Sequence, residues 1–134
     1  MDHNERFIRI EGLTKEFDVG RSFLEKGQKL RAVDNVSLDI KRGETLGLVG
    51  ESGCGKSTFG RCVLRLIEPT EGKVLYENKD LLQFSKDEMR KMRRKLQMVF
   101  QDPYASLNPR MTVMEIIKAP LDVYKIGTKE ERIE

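Results

Sequence analysis

The sequence predicts an α/β fold, and three observations lead to that prediction. Residues 7–17 and 33–40 alternate apolar and polar side chains, which is typical of half-buried strands. The short apolar run at 44–49 leads directly into a glycine-rich loop, as a buried parallel strand would. Apolar residues three or four apart follow that loop and indicate a helix. Strand, glycine-rich loop and helix in this order form one α/β unit.

The strands of the N-terminal half are separated by turn-forming segments. Residues 20–31 contain two glycines and no clear period, which predicts an exposed loop between the first two strands. A turn at 41–43 separates the second strand from the apolar run. The inward side chains of the first two strands are expected to be Phe7, Ile8, Ile10, Val36, Leu38 and Ile40.

The C-terminal half is predicted to contain further helices and strands. The helix after the loop presents one apolar stripe and is expected to end at Pro69. Strands are expected at 73–76 and 96–100. Pro120 is expected to end or kink a helix that starts after Thr112. Three pairs have the spacing of a capping box and mark helix starts: Ser85 with Glu88, Thr112 with Glu115, and Thr128 with Glu131.

Composition and charge exclude several classes of protein. A chain of 134 residues can form one modest domain or a part of one. The 25 basic and 22 acidic side chains are interspersed, so charge does not favour a nucleic-acid partner. Cys54 and Cys62 have the spacing of neither a zinc site nor a disulfide framework, and we expect free thiols. No apolar run is long enough to predict a signal peptide or a membrane span.

Residues 50–58, GESGCGKST, match the GxxxxGK[ST] pattern of a phosphate-binding loop. Gly50 and Gly55 let the backbone approach a phosphate closely, and the N–H groups at the start of the following helix point into the anion. Lys56 supplies charge for the β- and γ-phosphates, and Ser57 supplies a hydroxyl oxygen for Mg²⁺. The predicted nucleotide-binding residues of the loop are Gly50, Glu51, Ser52, Gly53, Cys54, Gly55, Lys56, Ser57 and Thr58.

Hydrolysis needs groups that this loop does not contain, namely an aligned water and a carboxylate near Mg²⁺. The apolar run LQMVF is followed by Gln101 and Asp102 rather than by two carboxylates, and IIKAPLD is interrupted by lysine and proline. The groups that hydrolysis requires are therefore absent from these 134 residues, and this chain is not expected to hydrolyse a nucleotide alone. Cys54 could also act as a redox switch, but its small size is a sufficient reason for a cysteine in the loop.

Longer stretches of the chain resemble a known family. LGLVGESGCGKST, GRCVLRLIEPTEGKVLYENKDL and MVFQDPYASLNPRMTV are similar to the ATP-binding subunits of oligopeptide and dipeptide ABC importers, nearly end to end. Gln101 lies in FQDPYASLNPR, which resembles the Q-loop of the ABC class and specifically that of its peptide and nickel branch. The resemblance implies a P-loop NTPase fold of the ABC nucleotide-binding type, with an N-terminal antiparallel β-subdomain and the start of the helical subdomain.

The same resemblance implies roles for two residues outside the loop. Phe17, in LTKEF, would stack on adenine, although simple core packing is the alternative. Gln101 would contact Mg²⁺ or the lytic water and relay to a membrane partner, so that Ser57 and Gln101 form the metal site. An ordinary hydrogen bond at a strand end is the alternative for Gln101.

Ligands, partners and location also follow from the resemblance. It implies ATP and Mg²⁺ as ligands, a second ABC nucleotide-binding subunit as a homo- or heterodimer partner, and transmembrane permease subunits contacted by residues 104–121. The expected location is cytoplasmic, peripheral on the inner face of the cell membrane.

The signature motif, the Walker B carboxylates, the D-loop and the switch histidine of the family are not found in the sequence. Residues 1–134 are therefore expected to be a partial, truncated ABC nucleotide-binding domain. In full length such a domain would power oligopeptide or dipeptide import. The alternative is a non-catalytic nucleotide-binding or partner-docking fragment. A soluble kinase or GTPase is disfavoured because no base-recognition motif of that kind is present.

Overall fold

The computed structural model describes residues 6–19, 28–102 and 106–133. The chain divides into two compact units, Met1–Gln97 and Met98–Glu134. Among the described residues, the first unit contains a β-sheet, two α-helices and the phosphate loop, and the second contains one α-helix. No helix in the described ranges is long and apolar enough to cross a membrane.

The sheet of the first unit has four antiparallel strands in the order β2-β1-β3-β4. Ile10 in the central strand lies opposite Leu38 on one side and Val74 on the other. This arrangement confirms the antiparallel β-subdomain that the sequence implies. The strands are β1 (Arg6–Val19), β2 (Gln28–Lys41), β3 (Glu71–Tyr76) and β4 (Lys79–Asp80).

Three helices and one short 3₁₀ turn complete the described structure. The capping boxes at the starts of the last two helices are both formed, as the sequence predicts. Thr112 and Glu115 exchange hydrogen bonds at the start of the helix in the second unit. The elements are α1 (Lys56–Val63), the 3₁₀ turn Leu81–Gln83, α2 (Lys86–Met92) and α3 (Val113–Tyr124).

The core of the first unit lies where α1, the 3₁₀ turn and α2 pack against the sheet. Burial raises the pKa of the Cys62 thiol, which has no exposed surface, so this cysteine is a core residue as predicted. The core holds α1, and with it the C-terminal end of the phosphate loop. Its buried members are Ile10, Leu13, Cys62, Val74, Tyr76, Leu81, Met89 and Leu96.

Two arginines join the end of α1 to the elements that follow. Arg93 donates hydrogen bonds to the carbonyl oxygens of Leu64 and Arg65. Arg65 donates to the carbonyl oxygens of Leu81 and Phe84, both at 2.7 Å. Carbonyl groups near a helix end lack helical partners, so the Arg93 guanidinium group satisfies two acceptors that follow α1. The Leu81 carbonyl oxygen also accepts from the N–H of Phe84.

Two predicted strands do not form. Residues 44–49 contain no strand, and Leu46, Leu48 and Val49 are 45%, 49% and 95% exposed. Residues 96–100 contain none either, and Val99 is 91% exposed. Both predictions were wrong because a strand buried in a parallel sheet needs neighbouring strands. None of the strands within the described ranges pairs with either segment.

The boundaries of two elements also differ from the prediction. Helix α1 ends at Val63 rather than at Pro69, because Arg65 has a left-handed φ of 51° that a helix cannot continue through. As a result, Leu66 of the predicted apolar stripe is 43% exposed. The predicted loop at 20–31 was expected to continue to residue 31, but β2 already begins at Gln28. Residues 20–27 lie outside the described residues.

In the second unit, Pro120 lies inside α3 and does not end it, since the helix runs on to Tyr124. Thr128 and Glu131 exchange the hydrogen bonds of the third predicted capping box. The residues after Thr128 form turns rather than a helix over 129–133. A hydrogen-bonded cap is therefore not sufficient by itself to form a helix, because the first turn is costly to nucleate.

We expect Ser85→Ala to destabilise the first unit by about 1 kcal/mol, because it removes the N-cap of α2. The hydroxyl and the N–H of Ser85 hydrogen-bond the Glu88 carboxylate and lower its pKa. The cap is thus intact above the ordinary carboxylate pKa and is lost as the pH falls through the lowered value. The variant should raise the pKa of Glu88.

Carboxyl-carbon NMR titration and urea unfolding would measure both effects of Ser85→Ala. Glu115 is an internal control, because its pKa is lowered by Thr112 in the separate capping box of α3. An unchanged Glu88 titration in the variant would contradict the cap as described.

Candidate phosphate-binding site

The phosphate loop, residues 50–58, leads into the first turn of α1, which begins at Lys56. Gly53 and Gly55 have φ angles of 83° and 91°, in the left-handed region that favours glycine. A Cβ at Gly55 would lie 2.0 Å from the carbonyl oxygen of Ala32 in β2. Gly55 is therefore required both by its backbone conformation and by the close approach of β2.

The loop also folds back on itself. A Cβ at Gly50 would lie 2.8 Å from the Sγ atom of Cys54. The N–H of Cys54 donates to the carbonyl oxygen of Glu51 at 3.4 Å. The two glycines that the sequence pattern requires are thus the positions where a side chain would collide with the loop or with β2.

Lys56 turns its ammonium group back into the loop. Its Nζ atom donates to the carbonyl oxygen of Gly50 at 2.7 Å and to that of Glu51 at 2.5 Å. The same Nζ atom lies 3.4 Å from Cys54 Sγ. A positive charge is therefore held at the centre of the nine-residue motif by the backbone of the motif itself.

The first turn of α1 presents hydrogen-bond donors without acceptors. Within the described ranges, nothing accepts a hydrogen bond from the backbone N–H of Lys56, Ser57 or Thr58. The turn contains no acidic residue, and the Ser57 side chain is exposed. Free N–H groups and the positive end of the helix dipole make such a turn a site for anions.

A cavity of about 220 Å³ adjoins the loop. Apolar side chains from β2, from residues 44–49 and from α1 form much of its wall, and Asp34 is its carboxylate. The lining residues are Ala32, Val33, Asp34, Val36, Leu48, Val49, Cys54, Gly55, Lys56 and Phe59. Sequence reasoning missed Ala32 and Asp34, because nothing in the local pattern shows that β2 passes beside the loop.

Phe17 does not line this cavity. It lies in β1 opposite Leu30, is 36% exposed, and has the Nζ atom of Lys15 5.0 Å from its ring centre. The alternative of simple core packing was wrong, because Phe17 is not a member of the buried core. The stacking of Phe17 on adenine stays a prediction.

Gln101 belongs to the second unit and is exposed. Asp102 follows Gln101 in the chain, and its carbonyl oxygen accepts a hydrogen bond from the Ser106 hydroxyl at 3.0 Å. The role of Gln101 at Mg²⁺ or the lytic water also stays a prediction. The part of the chain that the structure describes contains no group of three or more His, Cys, Asp or Glu side chains able to hold a metal ion.

Comparison with known families decides what kind of protein carries this loop. The family model described as ABC transporter matches residues 33–134. This chain belongs to the ABC transporter family. The predicted ABC fold is confirmed, and the resemblance to ATP-binding subunits of peptide importers is confirmed by the relatives.

Two curated relatives of this ABC chain illustrate the similarity. It is 50% identical over 127 residues to a putative peptide import ATP-binding protein of Brucella ovis, covering 95% of this chain and 38% of that protein. It is 46% identical over 134 residues to the oligopeptide transport ATP-binding protein AppF of Bacillus subtilis, covering 98% and 41%. The chain thus spans 38–41% of the length of these relatives.

Solved structures of ABC cassettes share the fold. The dimeric structure of the bacterial ABC transporter cassette MJ0796 matches with a TM-score of 0.78 and 35% identity, over 94% of this chain and 52% of that one. A dimeric post-hydrolysis state of the same cassette, bound to ADP and Pi, matches with a TM-score of 0.75 and 33% identity, over the same 94% and 52%.

Proposed function

We propose that this chain binds the phosphates of ATP at residues 50–58, as the nucleotide-binding part of a subunit that powers the import of oligopeptides or dipeptides. The observation that carries the proposal is the arrangement at the start of α1. The ammonium group of Lys56 lies within the loop and the free N–H groups of the first turn lie at its end, and no acidic residue in that turn offsets them. This is the chemistry that a triphosphate requires.

Each loop residue has a defined task in this proposal. The first-turn N–H groups donate to phosphate oxygens, and Lys56 neutralises charge at the β- and γ-phosphates. The Ser57 hydroxyl, together with Gln101, would hold Mg²⁺, and the ion would supply positive charge at the phosphates.

The cavity beside the loop supports only partial enclosure of the nucleotide. Its volume of about 220 Å³ is below the roughly 300–1,000 Å³ of sites that enclose a whole small molecule. We therefore propose weak ATP binding. Phe17 is proposed to stack on adenine, with Glu51, Ser52, Gly53 and Cys54 contributing the loop backbone around the phosphates.

We further propose that the chain does not hydrolyse ATP alone. Attack on the γ-phosphate needs an aligned water and a carboxylate near the metal. Gln101 is the proposed water- and Mg²⁺-contacting residue, and the sequence of 134 residues contains no Walker B carboxylates. The ATPase activity would belong to a protein of the length of the relatives.

The proposed partners are a second ABC nucleotide-binding subunit and transmembrane permease subunits, at the inner face of the cell membrane in the cytoplasm. Exposed apolar side chains on α3 support a protein partner. Val113, Met114, Ile117 and Val123 are between 52% and 73% exposed. Apolar side chains clustered on one exposed helix are typical of interaction sites.

The same surface favours the second candidate, a non-catalytic nucleotide-binding or partner-docking fragment, because no residue of α3 is buried. Sequencing the gene past codon 134 separates the two. A signature motif and Walker B carboxylates in frame would support the ATPase subunit. A stop codon at that point would support the fragment.

Isothermal titration tests the nucleotide proposal directly. We expect weak binding of ATP in the presence of Mg²⁺ and none of AMP, because AMP lacks the phosphates that Lys56 and Ser57 contact. Phosphate release should not exceed that of buffer alone. Equal binding of AMP and ATP would overturn the phosphate-loop assignment, and steady release of phosphate would overturn the proposed inactivity.

A further inference from the structure

A second cleft of the first unit lies away from the phosphate loop, between the residues after α1, the end of the 3₁₀ turn and α2. Its volume is about 580 Å³. Four basic side chains line it, Arg65, Lys86, Arg90 and Arg93, together with one carboxylate, Glu68. We call it the basic cleft. None of these residues lines the cavity beside the phosphate loop.

Two of the four cations have structural partners but leave the cleft positive. Arg93 donates to the carbonyl oxygens of Leu64 and Arg65, which are neutral groups. Arg65 donates to backbone carbonyls and also pairs with Glu68 at 2.8 Å. One carboxylate therefore faces four cations. The hydrogen bonds of the two arginines fix the wall of the cleft without neutralising it.

The other two cations are available. Lys86 and Arg90 are exposed, and neither makes a hydrogen bond or an ion pair with any residue within 6–19, 28–102 or 106–133. They lie one helical turn apart on α2, so their Cβ atoms are about 5–6 Å apart. The N-terminus of α2 is closed by the capping box of Ser85 and Glu88, so the free charges here are side chains.

The cleft also has an apolar part. Phe84 lines it and is half-buried, whereas Met89 lines it but is 7% exposed and belongs to the buried core. A free phosphate would gain nothing from such a surface. A peptide segment that carries carboxylates beside an apolar side chain would contact both the cations and the apolar surface.

We propose that the basic cleft binds an acidic segment of a partner protein. Two carboxylates one helical turn apart on that segment pair with Lys86 and Arg90. One aliphatic or aromatic side chain of the segment packs on Phe84. The ion pairs select the partner and orient it, and the apolar contact excludes water from them. This inference does not depend on nucleotide binding at residues 50–58.

Fluorescence anisotropy with the whole chain at low salt tests the proposal. The probe is a labelled helical peptide with glutamates at i and i+4 and a leucine between them, and its control has glutamine in place of each glutamate. We expect the acidic peptide to bind and the glutamine peptide to bind at least about tenfold more weakly. Binding should weaken as salt is raised.

The variant Lys86→Glu/Arg90→Glu should lower affinity for the acidic peptide by at least about tenfold. The matched control is Lys79→Glu/Lys91→Glu, which makes the same change of charge at exposed lysines of β4 and α2 outside the cleft. It should bind nearly as the unmodified chain does. Lys56→Ala should also bind normally, which separates this site from the phosphate loop.

Three outcomes would overturn the proposal, provided that circular dichroism shows the variants folded. They are equal binding of the glutamine peptide, equal losses in the two double variants, and binding of phosphatidylglycerol vesicles that depends on Lys86 and Arg90 and displaces the peptide. The last outcome would assign the cleft to a lipid surface instead.

Discussion

Replacing Lys56 with alanine is expected to abolish detectable binding of ATP with Mg²⁺. The ammonium group is the charge that the loop backbone holds at its centre, through the carbonyl oxygens of Gly50 and Glu51. A hydrogen bond to a charged group contributes about 1.5–3 kcal/mol, which corresponds to roughly 10- to 100-fold in affinity. Binding that is already weak should fall below the range that titration can detect.

The matched control for Lys56→Ala is Lys91→Ala, which removes one positive charge from an exposed position of α2. Its affinity for ATP should be unchanged. The hydrogen bonds that Lys56→Ala removes join the ammonium group to the loop and not to the core. Circular dichroism should therefore show that both variants keep the fold. Retained affinity in Lys56→Ala would remove the loop from the binding site.

Gly55→Ala should have the largest effect on both stability and binding. The new Cβ would be placed 2.0 Å from the carbonyl oxygen of Ala32, and the residue would have to keep a φ of 91°. Either α1 or β2 must move, because the obstacle is backbone rather than a flexible side chain. We expect a loss of at least about 2 kcal/mol of unfolding free energy and loss of ATP binding.

Two other glycines separate the causes of that loss. Gly53 has a φ of 83°, and no atom lies within 4 Å of the position that a Cβ would take, so Gly53→Ala isolates the backbone strain, about 1–2 kcal/mol. Gly60 lies inside α1 with free space around it, so Gly60→Ala should stabilise by about 0.5–1 kcal/mol.

Urea unfolding should therefore rank the three variants, with Gly60→Ala above the unmodified chain, Gly53→Ala below it and Gly55→Ala lowest. Equal stability of Gly53→Ala and Gly55→Ala would show that β2 does not approach the loop as closely in solution.

The sequence predicted those features that depend on nearby residues. The capping boxes at Ser85 and Thr112 form because serine or threonine and glutamate lie three positions apart on one turn. The alternation in β1 and β2 and the burial of Cys62 on α1 follow from periods of two and 3.6 residues. The phosphate loop was recognisable because its glycines and lysine have fixed spacing.

Features that depend on distant residues could not be predicted in the same way. An apolar run such as 44–49 predicts a buried strand, but it does not show which other strand would pair with it. The contact between Gly55 and Ala32 depends on the path of β2. Helix α1 ends early because Arg65 adopts a left-handed conformation. Glycine and asparagine are the usual sequence signals of such a helix end, and neither is present at this position.

The phosphate loop is preceded by the exposed segment 44–49 and followed by helix α1, in which Cys62 is buried. Cys62 fixes the far side of the loop in the core, while Leu48 and Val49 on its near side are open to solvent and also line the cavity. A strand that paired with 44–49 would cover Leu48 and Val49, and with them part of the wall of the cavity beside the loop. Any effect of such pairing on nucleotide affinity would be matched by an equal effect of the nucleotide on the pairing.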